Sequence, residues 1–321
     1  MSGTRHIPVL LSEAMEALHL EAGETAVDAT LGGGGHTREM ISRVTPGGRV
    51  VAFDADSEAI ERFRDRAETD VLLADALSDG RLVIRQANFQ SVGETLDALG
   101  IDRVDAILAD FGFSSDQMDD SSRGFSFRES GPLDMRLDRE RGATAADIVN
   151  GYGEDELARI IRVNGDEPKA KKIARAIVAR RKTAPFATTT DFAETVSGCF
   201  SETERRRMRI HPATRTFQAV RMEVNGELPA IEAFLIQGVE RLTPGGRIAV
   251  ISFHSGEDAL VKRTFSELSK GCTCPPELPK CVCGKRPLIR LGRPRYAAPG
   301  EKECAANPRA RSAKLRWAEK I

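Results

Sequence analysis

The stretch Asp28-Ala29-Thr30-Leu31-Gly32-Gly33-Gly34-Gly35-His36 joins the end of an apolar run to the start of a helical pattern. Four successive glycines let a backbone approach a ligand where side chains would stand in the way, and the helix that follows offers unpaired N–H groups at its start. A strand, a glycine-rich turn and a helix in that order open an α/β nucleotide-type fold. The pattern is not the dinucleotide fingerprint G-x-G-x-x-G/A. Counted from Gly32 its last position falls on Thr37, and counted from Gly33 on Arg38, so a pyrophosphate packed against this helix is not expected.

Outward from this loop, residues 26–30, 50–53, 82–84 and 106–109 read as buried strands with helical patterns between them, which predicts βαβ units and a mostly parallel sheet. Thr45-Pro46-Gly47-Gly48-Arg49-Val50 recurs as Thr243-Pro244-Gly245-Gly246-Arg247-Ile248. Each copy follows a helical pattern and precedes an apolar run, so the sheet resumes there, with 248–252 as a further strand and 313–318 as a last one. Between residues 116 and 216 the strand rhythm disappears. There, residues 168–181 place Ile173, Ala174, Ile177 and Val178 at helical spacing after Pro168. The expected organisation is a discontinuous α/β domain, residues 1–115 and 217–321, interrupted by a helical domain, residues 116–216, that recognises RNA.

Asp54 ends the second strand about twenty residues beyond the glycine loop, where an acid can accept hydrogen bonds from both ribose hydroxyls. A ribose without a diphosphate points to S-adenosylmethionine. Asn88-Phe89, after the third strand, is placed to contact adenine. Asp110 ends the fourth strand, at the edge where open α/β sheets bind ligands. Its carboxylate can contact the cofactor or grip the amino group of an acceptor base, and the residues leave both roles open. A cytosine amino nitrogen is a poor nucleophile because its lone pair is delocalised into the ring. An acceptor that holds one of its hydrogens favours the pyramidal nitrogen that can attack. Methylation at a ring carbon usually draws on a cysteine nucleophile, and no Pro-Cys pair occurs here. His254, flanked by Ser252 and Ser255 after the strand 248–252, suits a base or hydrogen-bond partner facing the substrate, and equally a satisfied structural histidine.

The formal net charge is only -1, yet the charges are segregated. From Lys270 onward thirteen Lys/Arg face four Asp/Glu, the run 169–182 holds seven Lys/Arg and no acid, and 205–221 adds six more, which suits a polyanion. Polar and charged residues are spread through residues 1–20, and no apolar run is long enough to cross a bilayer, so a cytoplasmic protein without a membrane partner is expected. Six cysteines, the first at Cys199, argue for reduced thiols rather than a disulfide scaffold. In Cys272-x-Cys274 and Cys281-x-Cys283 one intervening residue is shorter than the two to four usual in structural zinc sites, so a metal-free loop is expected and no metal ligand is assigned.

Residues 6–11 and 28–36, the run Arg123-Gly124-Phe125-Ser126-Phe127 with Gly131-Pro132-Leu133-Asp134-Met135-Arg136, and residues 211–220, 251–255 and 307–312 closely resemble the bacterial N4-cytosine methyltransferases of small-subunit (16S) ribosomal RNA. The resemblance covers nearly the whole chain. It implies a Rossmann-like methyltransferase fold with a helical insertion, S-adenosylmethionine as donor, and a cytosine of the decoding centre as acceptor, in free RNA or in the 30S subunit, with no role for DNA. It puts Gly34, Gly35, His36, Asp54, Phe89, Asp110 and Gln117 on cofactor-binding positions; Asp110 and His254, from their places at the strand ends, are the candidate catalytic residues. Phe111 and Phe113 stand where the family tends to have aliphatic residues, so core packing is expected of them, and Gly256 replaces a usual leucine. The rival class is a non-catalytic RNA-binding ribosome-assembly factor that keeps the fold.

Overall fold

The computed structural model of the protein describes residues 8–112, 115–272, 274 and 283–321. Seven strands form one sheet: β1 (Thr25–Asp28), β2 (Arg49–Asp54), β3 (Leu82–Gln86), β4 (Val104–Asp110), β5 (Leu242–Ser252), β6 (Ile289–Leu291) and β7 (Lys314–Lys320). Their order is β3-β2-β1-β4-β5-β7-β6. The first five are mutually parallel, and β7 runs antiparallel to both its neighbours. The mostly parallel sheet expected from the apolar runs is therefore present; β1 ends two residues before its run does, and β5 begins six residues before its run.

Side chains on a strand alternate between faces, and both faces of a parallel sheet are covered by helices, so both must be apolar. Ala26, Val50, Ala52, Ala106, Leu108, Ala249 and Ile251 face one core, while Val27, Val51, Phe53, Ile107, Ala109, Ile248 and Val250 face the other. The repeated Thr-Pro-Gly-Gly sequence makes two different connections. The first copy lies between the helix Gly35–Val44 and β2, whereas the second lies within the bounds of β5. There Leu242 pairs with Val104 and pairing resumes at Arg247 with Ala106, so the intervening residues form a bulge. The three-residue β6 is too short to have announced itself by periodicity.

The chain divides into two compact units, Met1–Gly112 with Leu228–Ile321, and Phe113–Glu227. The second is helical and has its own core, which includes Phe125, Met135, Leu157, Ile160, Ile173, Ile177, Phe192 and Phe217. Its limits differ from the expected 116 and 216. Thr214–Val224 is one continuous helix whose Phe217, Ala219 and Val220 pack into that core, so a boundary at 216 would cut through it. The helix expected at 168–181 runs Ala170–Arg181 and buries Ile173, Ala174 and Ile177. No described helix is long and apolar enough to cross a membrane.

Gly34 caps the helix Gly35–Val44 with φ +73°, and a Cβ there would stand 2.1 Å from Cε2 of buried Phe63. Close packing on Phe63 therefore requires glycine at this position, a reason separate from the ligand contact expected of the glycine run. Gly34→Ala should destabilise the protein by at least about 2 kcal/mol, from left-handed strain plus overpacking. In the double variant with Phe63→Ala the total loss should be smaller than the sum of the two single losses. Chemical denaturation measures both; a wild-type midpoint for Gly34→Ala would contradict the packing role.

Candidate active site

Parallel strands carry their carboxyl ends to one edge, and the order reverses direction between β1 and β4, where such sheets open a crevice. Asp28, Asp54 and Asp110 are the last residues of β1, β2 and β4. The loop after β1 is held by these strand ends. Asp28 accepts from Thr30 N–H at 3.1 Å and from the Thr37 hydroxyl at 2.6 Å. Thr30 Oγ1 accepts from the Asp110 N–H at 2.6 Å. Asp54 accepts from Gly32 N–H at 2.9 Å through one oxygen and from Asp56 N–H at 2.9 Å through the other. Asp54 thus shapes the glycine loop, and its remaining lone pairs stay available to a ligand. Open space lies at Gly32, where a Cβ would meet nothing closer than Thr30 O at 3.9 Å. At Gly35 a Cβ would meet Pro8 Cγ at 2.8 Å.

The site is rich in buried negative charge. Asp28 and Glu257 are each 1% exposed. Burial, then the charges of Asp28 and Glu257, hold the Asp110 carboxyl well above the usual carboxylate range. Asp110 Oδ1 is buried and meets no hydrogen-bond donor among the described residues. Buried His36 places Nε2 3.1 Å from Val9 O and Nδ1 3.9 Å from Asp110 Oδ2. A carbonyl only accepts, so Nε2 carries a proton.

The other expected residues are placed as follows. Phe89 sits in a short turn of helix after β3 and packs against Phe111 and Phe234, with ring centroids 5.2 and 5.7 Å away. Phe111 is buried in the core, and Phe113 lies outside the described residues. Gln117 is buried on the helix Ser115–Asp119, in the other unit from the glycine loop. His254 is the N-cap of the helix Ser255–Leu268: Nδ1 accepts from Glu257 N–H at 3.3 Å, and Nε2 lies 3.1 Å from Glu257 Oε1. His254 thus caps this helix through Nδ1, while its Nε2 is buried and makes no hydrogen bond among the described residues. Glu257 accepts from Phe253 and His254 N–H in return. Thr30, Thr37 and Glu257 were not assigned from sequence; the capping-box spacing from His254 to Glu257 was the one available signal.

In the helical unit the run 169–182 is largely occupied with internal ties. Lys169 pairs with Glu204 at 2.6 Å, Lys172 donates to Cys199 O, Arg180 pairs with Asp191, and Arg181 donates to Val149 O. By contrast Arg205, Arg207 and Arg209 are exposed, and none makes an ion pair with a described carboxylate.

A sheet of this order, with a glycine loop after β1 and acids ending β1, β2 and β4, defines a Rossmann-like methyltransferase. The chain belongs to the MraW methylase family, which matches residues 3–321. It is similar to the ribosomal RNA small subunit methyltransferase H of Thermomicrobium roseum, with 48% identity over 99% of this chain and 94% of that protein. The protein of the same name from Geotalea uraniireducens is 47% identical over the full length of both chains. A crystal structure of a putative rRNA-methylase from Clostridium thermocellum aligns with a TM-score of 0.46 and 15% identity over 98% of this chain and 99% of that one.

Burial raises the Asp54 pKa to about 6. A carboxyl that binds its proton more tightly in the folded protein stabilises fully below its unfolded pKa, and that stabilisation is lost as pH rises through the folded value. Asp54 therefore adds a decline in stability between about pH 4 and pH 6. Asp54→Asn should flatten this part of the stability–pH curve relative to wild type; parallel curves in denaturant titrations would contradict it.

Proposed function

We propose that this methyltransferase uses S-adenosylmethionine to methylate the exocyclic N4 of a cytosine in the decoding centre of small-subunit ribosomal RNA, as free RNA or in the 30S subunit, in the cytoplasm. Relatives named for small-subunit ribosomal RNA support the substrate class, and the motif resemblance supports the cytosine nitrogen. The observation that carries the reading is Asp110 Oδ1, a buried acceptor with no described donor, at the end of β4 beside Asp28 and Glu257. Leaving such an atom unmet costs about 1–3 kcal/mol, which a ligand donor would recover. A concentration of buried carboxylates fits a cationic ligand, and open space at Gly32 lets one approach the backbone.

The donor, when bound, supplies an electrophilic methyl group on a sulfonium. Asp54 would accept the ribose hydroxyls while continuing to hold Gly32 N–H. Phe89 would offer adenine the ring face not packed on Phe111 and Phe234. Asp110 would accept from the methionine part of the donor or from the target amino group. A non-catalytic assembly factor would have no use for a buried acceptor kept open at this edge, which places that alternative second.

Asp110→Asn preserves shape and replaces one acceptor oxygen with a donor. Turnover should fall on the order of a hundredfold or more, the scale for one preorganised hydrogen bond. Calorimetry on the same variant locates the contact: affinity for S-adenosylmethionine falling with turnover puts the carboxylate on the donor, and unchanged affinity puts it on the amino group. Wild-type affinity with wild-type turnover would remove Asp110 from the site.

RNA contact is expected from Arg205, Arg207 and Arg209. Replacing all three with glutamine should weaken RNA binding and reduce its salt slope by about two, at roughly 0.7 per phosphate contact with single strands. Lys169 and Lys172, tied internally, serve as the comparison. An unaltered salt slope in the triple variant would take these arginines off the RNA surface.

A further inference from the structure

The helix Ser255–Leu268 is followed by a connection that returns to β6. Its ends are pinned together, since Leu288 N–H donates to Leu268 O at 2.9 Å. Inside it, Cys272, Cys274 and Cys283 bring their Sγ atoms within 4.8 Å of one another. Cys272 Sγ and Cys283 Sγ are 3.7 Å apart. With zinc–sulfur bonds of about 2.3 Å, two thiolates at corners of a tetrahedron stand about 3.8 Å apart. The Cys274 N–H also donates to Cys272 Sγ at 3.4 Å, a bond that favours the thiolate and orients it.

We propose that Cys272, Cys274 and Cys283 bind a zinc ion that staples this connection. The sequence spacing had favoured a metal-free loop because each pair is separated by one residue. In the folded chain Cys272 and Cys283, eleven positions apart and from different pairs, bring their sulfurs to 3.7 Å, so the spacing within a pair does not alone set the geometry. Each thiol gives its proton to solvent as it becomes a ligand. Lys270, Lys285 and Arg286, exposed and close in sequence, supply positive charge to offset the thiolates. The fourth position is left for water or a further thiolate; Cys281 lies outside the described residues. The ion would cross-link a loop whose ends already meet, and so hold β6 in register on β7.

The test uses the full chain, purified reduced and without a histidine tag, equilibrated with zinc and freed of excess by gel filtration. Elemental analysis should find about one zinc per chain. Cys272→Ser combined with Cys283→Ser should lose it while circular dichroism stays unchanged. Cobalt(II) in place of zinc should give the intense visible bands of a tetrahedral thiolate site, a readout on the unmutated protein that stands even if the variant fails to fold. The proposal is overturned by wild-type protein that elutes without zinc, by metal retained in the folded variant, by iron in place of zinc, by a disulfide between Cys272 and Cys283, or by a cobalt spectrum of six-coordinate type. None of these results bears on methyl transfer, whose residues lie elsewhere in the chain.

Discussion

Asp28 buries a carboxylate at the end of a parallel strand, and the loop that follows is folded around it. Desolvation raises its pKa, while His36 and the bonds from Thr30 and Thr37 oppose that shift. A buried polar group left unmet costs about 1–3 kcal/mol, so the turn after β1 has little freedom to adopt another shape. That turn puts Thr30 Oγ1 under the Asp110 N–H and Gly32 N–H against Asp54. Three strand ends are thereby tied to one loop, and the candidate site inherits its geometry from a few hydrogen bonds at the sheet edge.

The same edge concentrates charge that the protein alone leaves incompletely compensated. Burial, and after it the charges of Asp28 and Glu257, raise the pKa of Asp110. Glu257 is fixed by the helix cap it shares with His254, so it cannot turn away. Perturbed carboxyls gathered in this manner are typical of functional sites, because a structure under selection for stability alone has no reason to keep them together. A positively charged ligand relieves the repulsion, which connects the fold's local energetics to the donor proposed for it.

Much of the architecture was legible in the sequence because buried parallel strands are apolar on both faces and stand out as short runs between helices. The strands at 50–53, 82–84 and 106–109 could be read for that reason, and Asp54 and Asp110 followed as the residues ending them. Other features depend on partners distant in sequence. The packing of Gly34 could not be read, because nothing in its neighbourhood announces Phe63. The cap that His254 makes could not be read either, because it requires knowing that a helix begins at Ser255. The cations of 169–182 read as an RNA face, whereas folding ties Lys169 and Lys172 to Glu204 and Cys199. Composition marks where charge is; only the packed structure shows which charge is already used.

The central claim is that this site delivers a methyl group to a cytosine nitrogen of small-subunit ribosomal RNA. The most direct measurement supplies the purified protein with S-adenosylmethionine labelled in its methyl group and with small subunits from a strain lacking the gene, then identifies the labelled nucleoside by mass spectrometry. The account predicts label in N4-methylcytidine at a single decoding-centre position. Label in a ring-carbon-methylated or ribose-methylated nucleoside, or in ribosomal protein, would contradict it.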